Sequence, residues 1–290
     1  MRVLQISDTH LGAQRHAVGP AGWCRAADHH AALQAALAPA LRGEVDLVVH
    51  AGDVFDRSRP PRRWMLAAGE LLEEVARRVP LIGIAGNHDR RGIARWLPQA
   101  SLGFVDQPTR VVVGELALGL VPFTRDPDTF RAHVQRASGP GIDVLVMHQA
   151  PHGSRVPGLT FRVGAQRDTV GEQHLPDTLR WAMCGHIHPR QAVRLGSCEV
   201  VMGGSTERTA FSEAEQAKGS VLWSFEGEVS WRFVDHPTRP MADVPQGMVR
   251  CAPEQVGAVR GAGRIAVPTR PRRPPGERPA KRAPGPLFAG

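Results

Sequence analysis

The chain has no tyrosine and only two lysines, Lys218 and Lys281, in 290 residues. Aromatic residues make up 5% of it, which leaves few platforms on which unpaired bases could stack. Cysteine is sparse as well: Cys24, Cys184, Cys198 and Cys251 stand far apart with no C-x-x-C pair. A disulfide framework and a thiolate zinc site are therefore excluded, and a reducing cytoplasm is the expected location. Apolar runs stay strand-sized, well under the roughly 20 residues of a membrane-spanning helix, so an integral membrane protein is excluded too. Met1 to Ser7 carries too short an apolar stretch for a secretion signal and reads as a first strand.

What the chain does have is arginine and a formal net charge of +8. The charge is unevenly placed. Residues 250–290 hold 9 basic and 2 acidic residues, whereas residues 1–249 hold 27 and 26. The main body is nearly neutral, and net charge by itself gives it no nucleic-acid signature. The end is also rich in proline and glycine, a composition that cannot bury enough apolar surface to fold alone. The expected organisation is a domain over residues 1–245 and a disordered basic tail over residues 246–290.

Within the body, strand-like and helix-like segments alternate, which points to an α/β fold. Val3–Ser7, Asp46–His50 and Leu81–Ala85 read as buried strands. Asp28 fits an N-cap for a helix carrying Leu33, Leu37 and Leu41. Met65, Leu72, Val75 and Val79 mark one face of a second helix that Pro80 ends. Further strands are expected at 110–113, 117–121, 143–147, 181–184 and 198–202, with a hairpin through Glu226-Gly227 joining 220–225 to 229–234. Residues 152–173 read as a long surface loop. The pattern predicts two sheets packed face to face with helices outside.

Five short segments place metal-ligand side chains just after strands: Asp8-Thr-His10, Gly52-Asp-Val-Phe-Asp56, Gly86-Asn-His-Asp89, Met147-His148 and Gly185-His-Ile-His188. Loops at the carboxyl ends of strands in an α/β sheet converge on one crevice. The resulting set of carboxylates, an amide oxygen and imidazoles suits Mn, Fe(II) or Zn. It is too large for one catalytic ion with an open position. If one carboxylate bridges, the set divides in two, and a pair of ions about 3.5–4 Å apart suits in-line phosphoryl hydrolysis.

In this order, the motifs resemble those of the calcineurin-like metallophosphoesterase superfamily, over roughly residues 1–240. Ser7–Gly12, Ala51–Asp56 with Arg59-Pro-Pro61, Gly86–Arg90, Cys184–Gln191 and Gly203–Phe211 are most similar to the SbcD-type nuclease subunits of double-strand-break repair. The resemblance implies a four-layer α/β/β/α sandwich with two mixed sheets. It implies that Asp8, His10, Asp53 and His188 hold one divalent ion, and that Asp53, Asn87, His148 and His186 hold the other. Mn²⁺ is the ion it implies, with Fe²⁺ and Zn²⁺ permitted by the ligands. A water shared by the ions would attack phosphorus. His88 would stabilise the transferring group and protonate the leaving oxygen, and Asp56 would accept a hydrogen bond from His88 and fix its orientation.

The implied activity is phosphodiester hydrolysis as a DNA exonuclease or endonuclease. The alternatives are a small-molecule phosphodiesterase on the same site, such as one acting on cyclic nucleotides, and a DNA- or ATPase-binding subunit. Arg15, Arg59 and Arg90 follow ligand motifs and are candidates to track a phosphate backbone. Ser205 is a candidate substrate contact. DNA, an SMC-like coiled-coil ATPase and a second copy of the chain are the candidate partners. SbcD-type subunits continue into a DNA-capping domain and ATPase-docking helices, whereas here only 45 residues follow position 245.

Overall fold

A computed structural model describes residues 1–14, 25–89, 103–156, 162–165 and 169–239, with isolated positions between and just beyond them. The tail 246–290, Arg15 and Arg90 lie outside the described residues. The first half of the chain runs β1 (Arg2–Ile6), α1 (Arg25–Leu41), β2 (Leu47–His50), α2 (Arg62–Ala76), β3 (Leu81–Ile84), β4 (Gly103–Val105), β5 (Thr109–Val113), β6 (Leu116–Val121) and α3 (Pro127–Ser138). The second half runs β7 (Val144–His148), β8 (Ala150–Pro151), β9 (Thr169–Val170), β10 (Trp181–Gly185), β11 (Gln191–Leu195), β12 (Cys198–Met202), β13 (Gly219–Ser224) and β14 (Ser230–Asp235).

Two six-stranded mixed sheets form, in the orders β14-β13-β1-β2-β3-β4 and β11-β12-β10-β7-β6-β5. Strand alternation explains their stacking. Val3 packs between the sheets while Leu4 and Ile6 pack against the helices. Leu47 and Val49 likewise face the partner sheet, and Val48 faces α1 and α2. Val144 and Val146 face inward on the second sheet, and Leu145 and Met147 face α3. Burial on both faces explains why these strands read as unbroken apolar runs. The layers are therefore α/β/β/α, as the resemblance implied.

Gln5 is a buried polar residue in the middle of this stack. Its side-chain amide donates to the carbonyls of Cys184 and Val201 on the other sheet, and its Oε1 accepts from the indole of Trp223. All its bonds are satisfied, so it pins the sheets in one register rather than destabilising the core.

Several expectations are corrected. α1 starts at Arg25, so Asp28 lies in its first turn, where it pairs with Arg25 and Arg239. The segment 152–173 is not wholly a surface loop: β8 and β9 pair, and Ser154, Val163 and Val170 are buried. α3 was not anticipated, although Asp126 caps it by accepting from the Thr129 amide and Pro127 follows at the first helical position.

His29 is 1% exposed, and its Nδ1 donates to the Thr9 carbonyl. Burial, with Arg25 adding, pushes its pKa down to about 4. The unfolded chain binds a proton near pH 6.5 that the native chain refuses, so stability is full above that value and falls as pH drops toward 4. His29→Asn keeps a donor for Thr9 but cannot titrate. In chelator, urea unfolding at pH 7.5 and 5.0 should show the parent losing about 2 kcal/mol more than the variant. Equal losses would show that His29 is not the acid-sensitive group.

Candidate metal centre

The five motifs all follow strands that run parallel within their own sheet: β1, β2 and β3 in one sheet, β7 and β10 in the other. Their carboxyl ends meet at one edge of the sandwich. The ligand side chains themselves stitch the sheets together there. The Asp8 carboxylate accepts from the His186 amide at 3.0 Å, and His148 Nδ1 donates to the Ala51 carbonyl at 2.7 Å.

The backbone is bent to achieve this. Among the described residues, four non-glycine positions have positive φ: Asp8, His10, Asp53 and His186. All four are residues the motifs single out as ligands. Such conformations cost energy and persist where the surrounding structure holds them for a purpose. Gly86 permits a close approach to Asp53. A β-carbon there would stand 2.1 Å from Asp53 Oδ1 and 2.4 Å from the Asp53 nitrogen.

The donor atoms fall into two groups joined by Asp53. His188 Nε2 lies 3.1 Å from His10 Nε2 and 3.9 Å from Asp8 Oδ1. Asn87 Oδ1 lies 3.0 Å from His148 Nε2 and 2.8 Å from His186 Nδ1. Between the groups, Asp53 Oδ2 is 3.4 Å from His148 Nε2 and 3.8 Å from His10 Nε2. Ligands about 2.1 Å from an ion stand about 3 Å apart at octahedral angles, so this spacing fits a divalent cation in each group. Asp8, Asp53, His10 and His148 are at most 2% exposed. Two buried carboxylates beside each other are costly without cations.

The electrostatics reflect that tension. Burial raises the Asp8 carboxyl. Burial alone would raise Asp53 too, but the surrounding imidazoles, His148 first, hold it well below the usual carboxylate range. Burial works against a charged His148, yet Asp53 pushes its pKa up to about 9. His10 and His186 are driven well down by burial and stay neutral, the form that ligates a metal.

His88 sits at the rim of this cluster, its ring 4.9 Å from that of His10. Its amide donates to Asp53 Oδ1 at 2.8 Å. The bond expected to the Asp56 carboxylate is instead made to the Asp56 backbone carbonyl, at 2.7 Å from Nδ1. The carboxylate lies close, within 4.8 Å of donor atoms of His10 and His88, but the turn places the carbonyl under the ring. Ser205 is fully buried, and its hydroxyl accepts from Lys218 Nζ. Arg59 is exposed on the loop after β2, three residues beyond Asp56.

Two residues escaped the sequence reading. Asp89 is 6% exposed and accepts from the amides of Val54, Phe55 and Gly86, tying the β2 loop to the β3 loop. Burial, with Asp53 adding, pushes its carboxyl up to about 7 against the pull of those three bonds. Its place as the fourth residue of Gly-Asn-His-Asp was the available signal. Glu213, bonded to His188 Nδ1 at 2.9 Å, had none, since it lies 25 residues away on another loop. A cavity of about 560 Å³ lined by Met1, Leu116, Trp181 and Phe225 lies at the opposite, amino-terminal ends of the strands, away from this cluster.

Residues 1–190 match the model of the calcineurin-like phosphoesterase family. The chain belongs to that family. It is 29% identical over 251 residues to the DNA double-strand break repair protein Mre11 of Methanosarcina mazei, covering 82% of this chain and 39% of that protein. It is 30% identical over 263 residues to the Mre11 of Haloferax volcanii, covering 84% of this chain and 54% of that one. The chain thus spans about half the length of such relatives. Its fold is also similar to the crystal structure of TT1561 of Thermus thermophilus, with TM-score 0.51 at 12% identity over 80% of this chain and 98% of that one. Family membership supports a metal-dependent hydrolase, and the clustered Asp8, His10, Asp53, His148 and His188 could hold metal. Among the described residues, no helix is long and apolar enough to cross a membrane.

Proposed function

We propose that the chain hydrolyses phosphodiester bonds of DNA as a nuclease of SbcD type, using two Mn²⁺ ions. The observation that carries this is the division of the buried ligand set into two groups sharing Asp53. Asp8, His10, Asp53 and His188 would hold one ion, and Asp53, Asn87, His148 and His186 the other. When bound, such ions neutralise charge on a phosphate ester and acidify water. Similarity to Mre11 proteins, named for repair of DNA breaks, supports DNA as the substrate.

His88 supplies the proton step. With Nδ1 donating to the Asp56 carbonyl, Nε2 is left to meet the substrate. As the P–O bond to the leaving group breaks, a proton on Nε2 passes to the departing oxygen and the ring becomes neutral. The carbonyl keeps the imidazole in one orientation throughout. Asp56 therefore positions His88 through its backbone.

Linear duplex DNA, single-stranded DNA and cyclic nucleotides, each incubated with the protein and Mn²⁺, test the reading. DNA should be cleaved and chelator should abolish the reaction. Cleavage of cyclic nucleotides alone would overturn it in favour of a small-molecule phosphodiesterase.

Exposed Arg59 would contact a phosphate of the bound strand. Arg59→Glu should weaken DNA binding and lower the slope of log affinity against log salt by about 1, leaving Mn²⁺ binding intact. An unchanged slope would remove Arg59 from the DNA path. Arg15 and Arg90 would extend the same track. An SMC-like ATPase and a second copy of the chain remain the protein partners proposed from the SbcD resemblance.

A further inference from the structure

The chain uses arginine for 34 of its 36 basic residues, yet among the described residues a lysine stands at the most buried cationic position. The side chain of Lys218 is fully buried and that of Glu213 is 3% exposed, with Nζ 2.7 Å from Glu213 Oε2. Nζ also donates to Ser205 Oγ at 2.8 Å and lies 3.3 Å from both the His188 carbonyl and Gln216 Oε1. A compact ammonium meets acceptors in several directions, which a planar guanidinium would not.

Glu213 is saturated in turn. Its Oε1 accepts from His188 Nδ1 at 2.9 Å and from Thr209 Oγ1 at 2.7 Å, and its Oε2 accepts from the Thr209 amide at 3.1 Å. Arg208 braces the same turn by donating to the Glu213 and Gln216 carbonyls and to Thr238 and Arg239. The two nitrogens of the His188 ring thus face different surroundings. Nδ1 meets a fixed carboxylate, and Nε2 meets Asp8 and His10.

We infer that the buried Lys218–Glu213 pair is a positioning device for the metal centre: it pins the His188 proton on Nδ1 and presents Nε2 as a lone pair to the ion. A neutral imidazole carries one ring proton, and a carboxylate takes that proton as a hydrogen-bond donor. Thr209 Oγ1 also stands 2.9 Å from Nδ1, but a hydroxyl free of the carboxylate can donate or accept there and would not fix the tautomer. Lys218 keeps the carboxylate charged and immobile, and Glu213 and Lys218 act on the ion only through His188. This inference rests on the reading of the cluster as a metal centre.

The test uses the whole chain. Replacing Glu213 alone would strand the Lys218 charge in the interior, so the variant of choice is Glu213→Leu with Lys218→Met, which removes both charges at similar volume. Folding is checked by circular dichroism in chelator. Calorimetric titration with Mn²⁺ should show affinity reduced by about 10–100-fold at one of the two sites. Glu213→Gln with Lys218→Met restores a neutral acceptor for Nδ1 and should recover part of that loss.

Nitrogen-15 spectra of labelled histidine in the metal-free parent, taken at a pH high enough to leave the His188 ring neutral, should show its one proton on Nδ1. A folded Leu/Met variant with parental Mn²⁺ affinity would overturn the inference. So would a parent whose His188 carries its proton on Nε2, a result that needs no variant to fold. If the parent bound no Mn²⁺, the metal-centre reading itself would fail, which is a separate outcome from a parent that binds and a variant that is unchanged.

Discussion

Asp53→Asn is expected to reduce bound Mn²⁺ from two ions per chain to one or none and to abolish measurable phosphodiester hydrolysis. Asp53 Oδ2 approaches ligands of both groups, His148 at 3.4 Å and His10 at 3.8 Å. An asparagine presents an NH₂ on one side and lacks the charge that offsets two dications. The loss should exceed the roughly 10–100-fold typical of removing an outer hydrogen-bond partner of a metal ligand. The backbone should tolerate the change, because asparagine is among the residues that best accept the positive φ of 56° found here. Metal content by mass spectrometry, with circular dichroism as a control, checks this. A folded Asp53→Asn protein that still holds two ions would remove Asp53 from the bridging position.

His88→Gln should keep both ions and lose about 10²–10⁴-fold in turnover on DNA, the usual range for a positioned acid or base. Substrate choice sharpens the prediction. The sugar oxygen that leaves from DNA is an alkoxide and needs a proton, whereas the p-nitrophenolate of bis(p-nitrophenyl) phosphate does not. The loss should therefore be distinctly larger on DNA. An equal loss on both would mean that His88 stabilises the phosphoryl group without transferring a proton. Retained turnover on DNA would refute both roles.

The ligand cluster was legible because each of its members stands within four residues of a strand end. Parallel pairing of β1, β2 and β3, and of β7 and β10, then brings the strand ends to one edge. Buried strands such as Val144–His148 were legible for a related reason: both faces are covered, so they read as continuous apolar runs. β11 was missed because its exposed and half-buried residues alternate without an apolar run. α3 was missed although Asp126-Pro127 announces it, since Phe130, Val134 and Ala137 make only a short stripe.

What lay beyond reach depended on long-range contacts. The positive φ at Asp8, His10 and His186 leaves no mark on those residue types. Ser205 stands in a glycine loop, and its neighbours in sequence do not announce the bond it accepts from Lys218, 13 residues on. The Asp56 spacing correctly placed it beside His88, but whether a turn offers its carboxylate or its carbonyl is decided by backbone geometry.

Whether Asp53 joins two ions into one centre can be read by electron paramagnetic resonance of the protein titrated with Mn²⁺. Saturation is expected at two ions per chain, with the isolated-ion spectrum giving way to that of an exchange-coupled pair as the second ion enters. Saturation at one ion, or two ions that stay magnetically isolated, would contradict it.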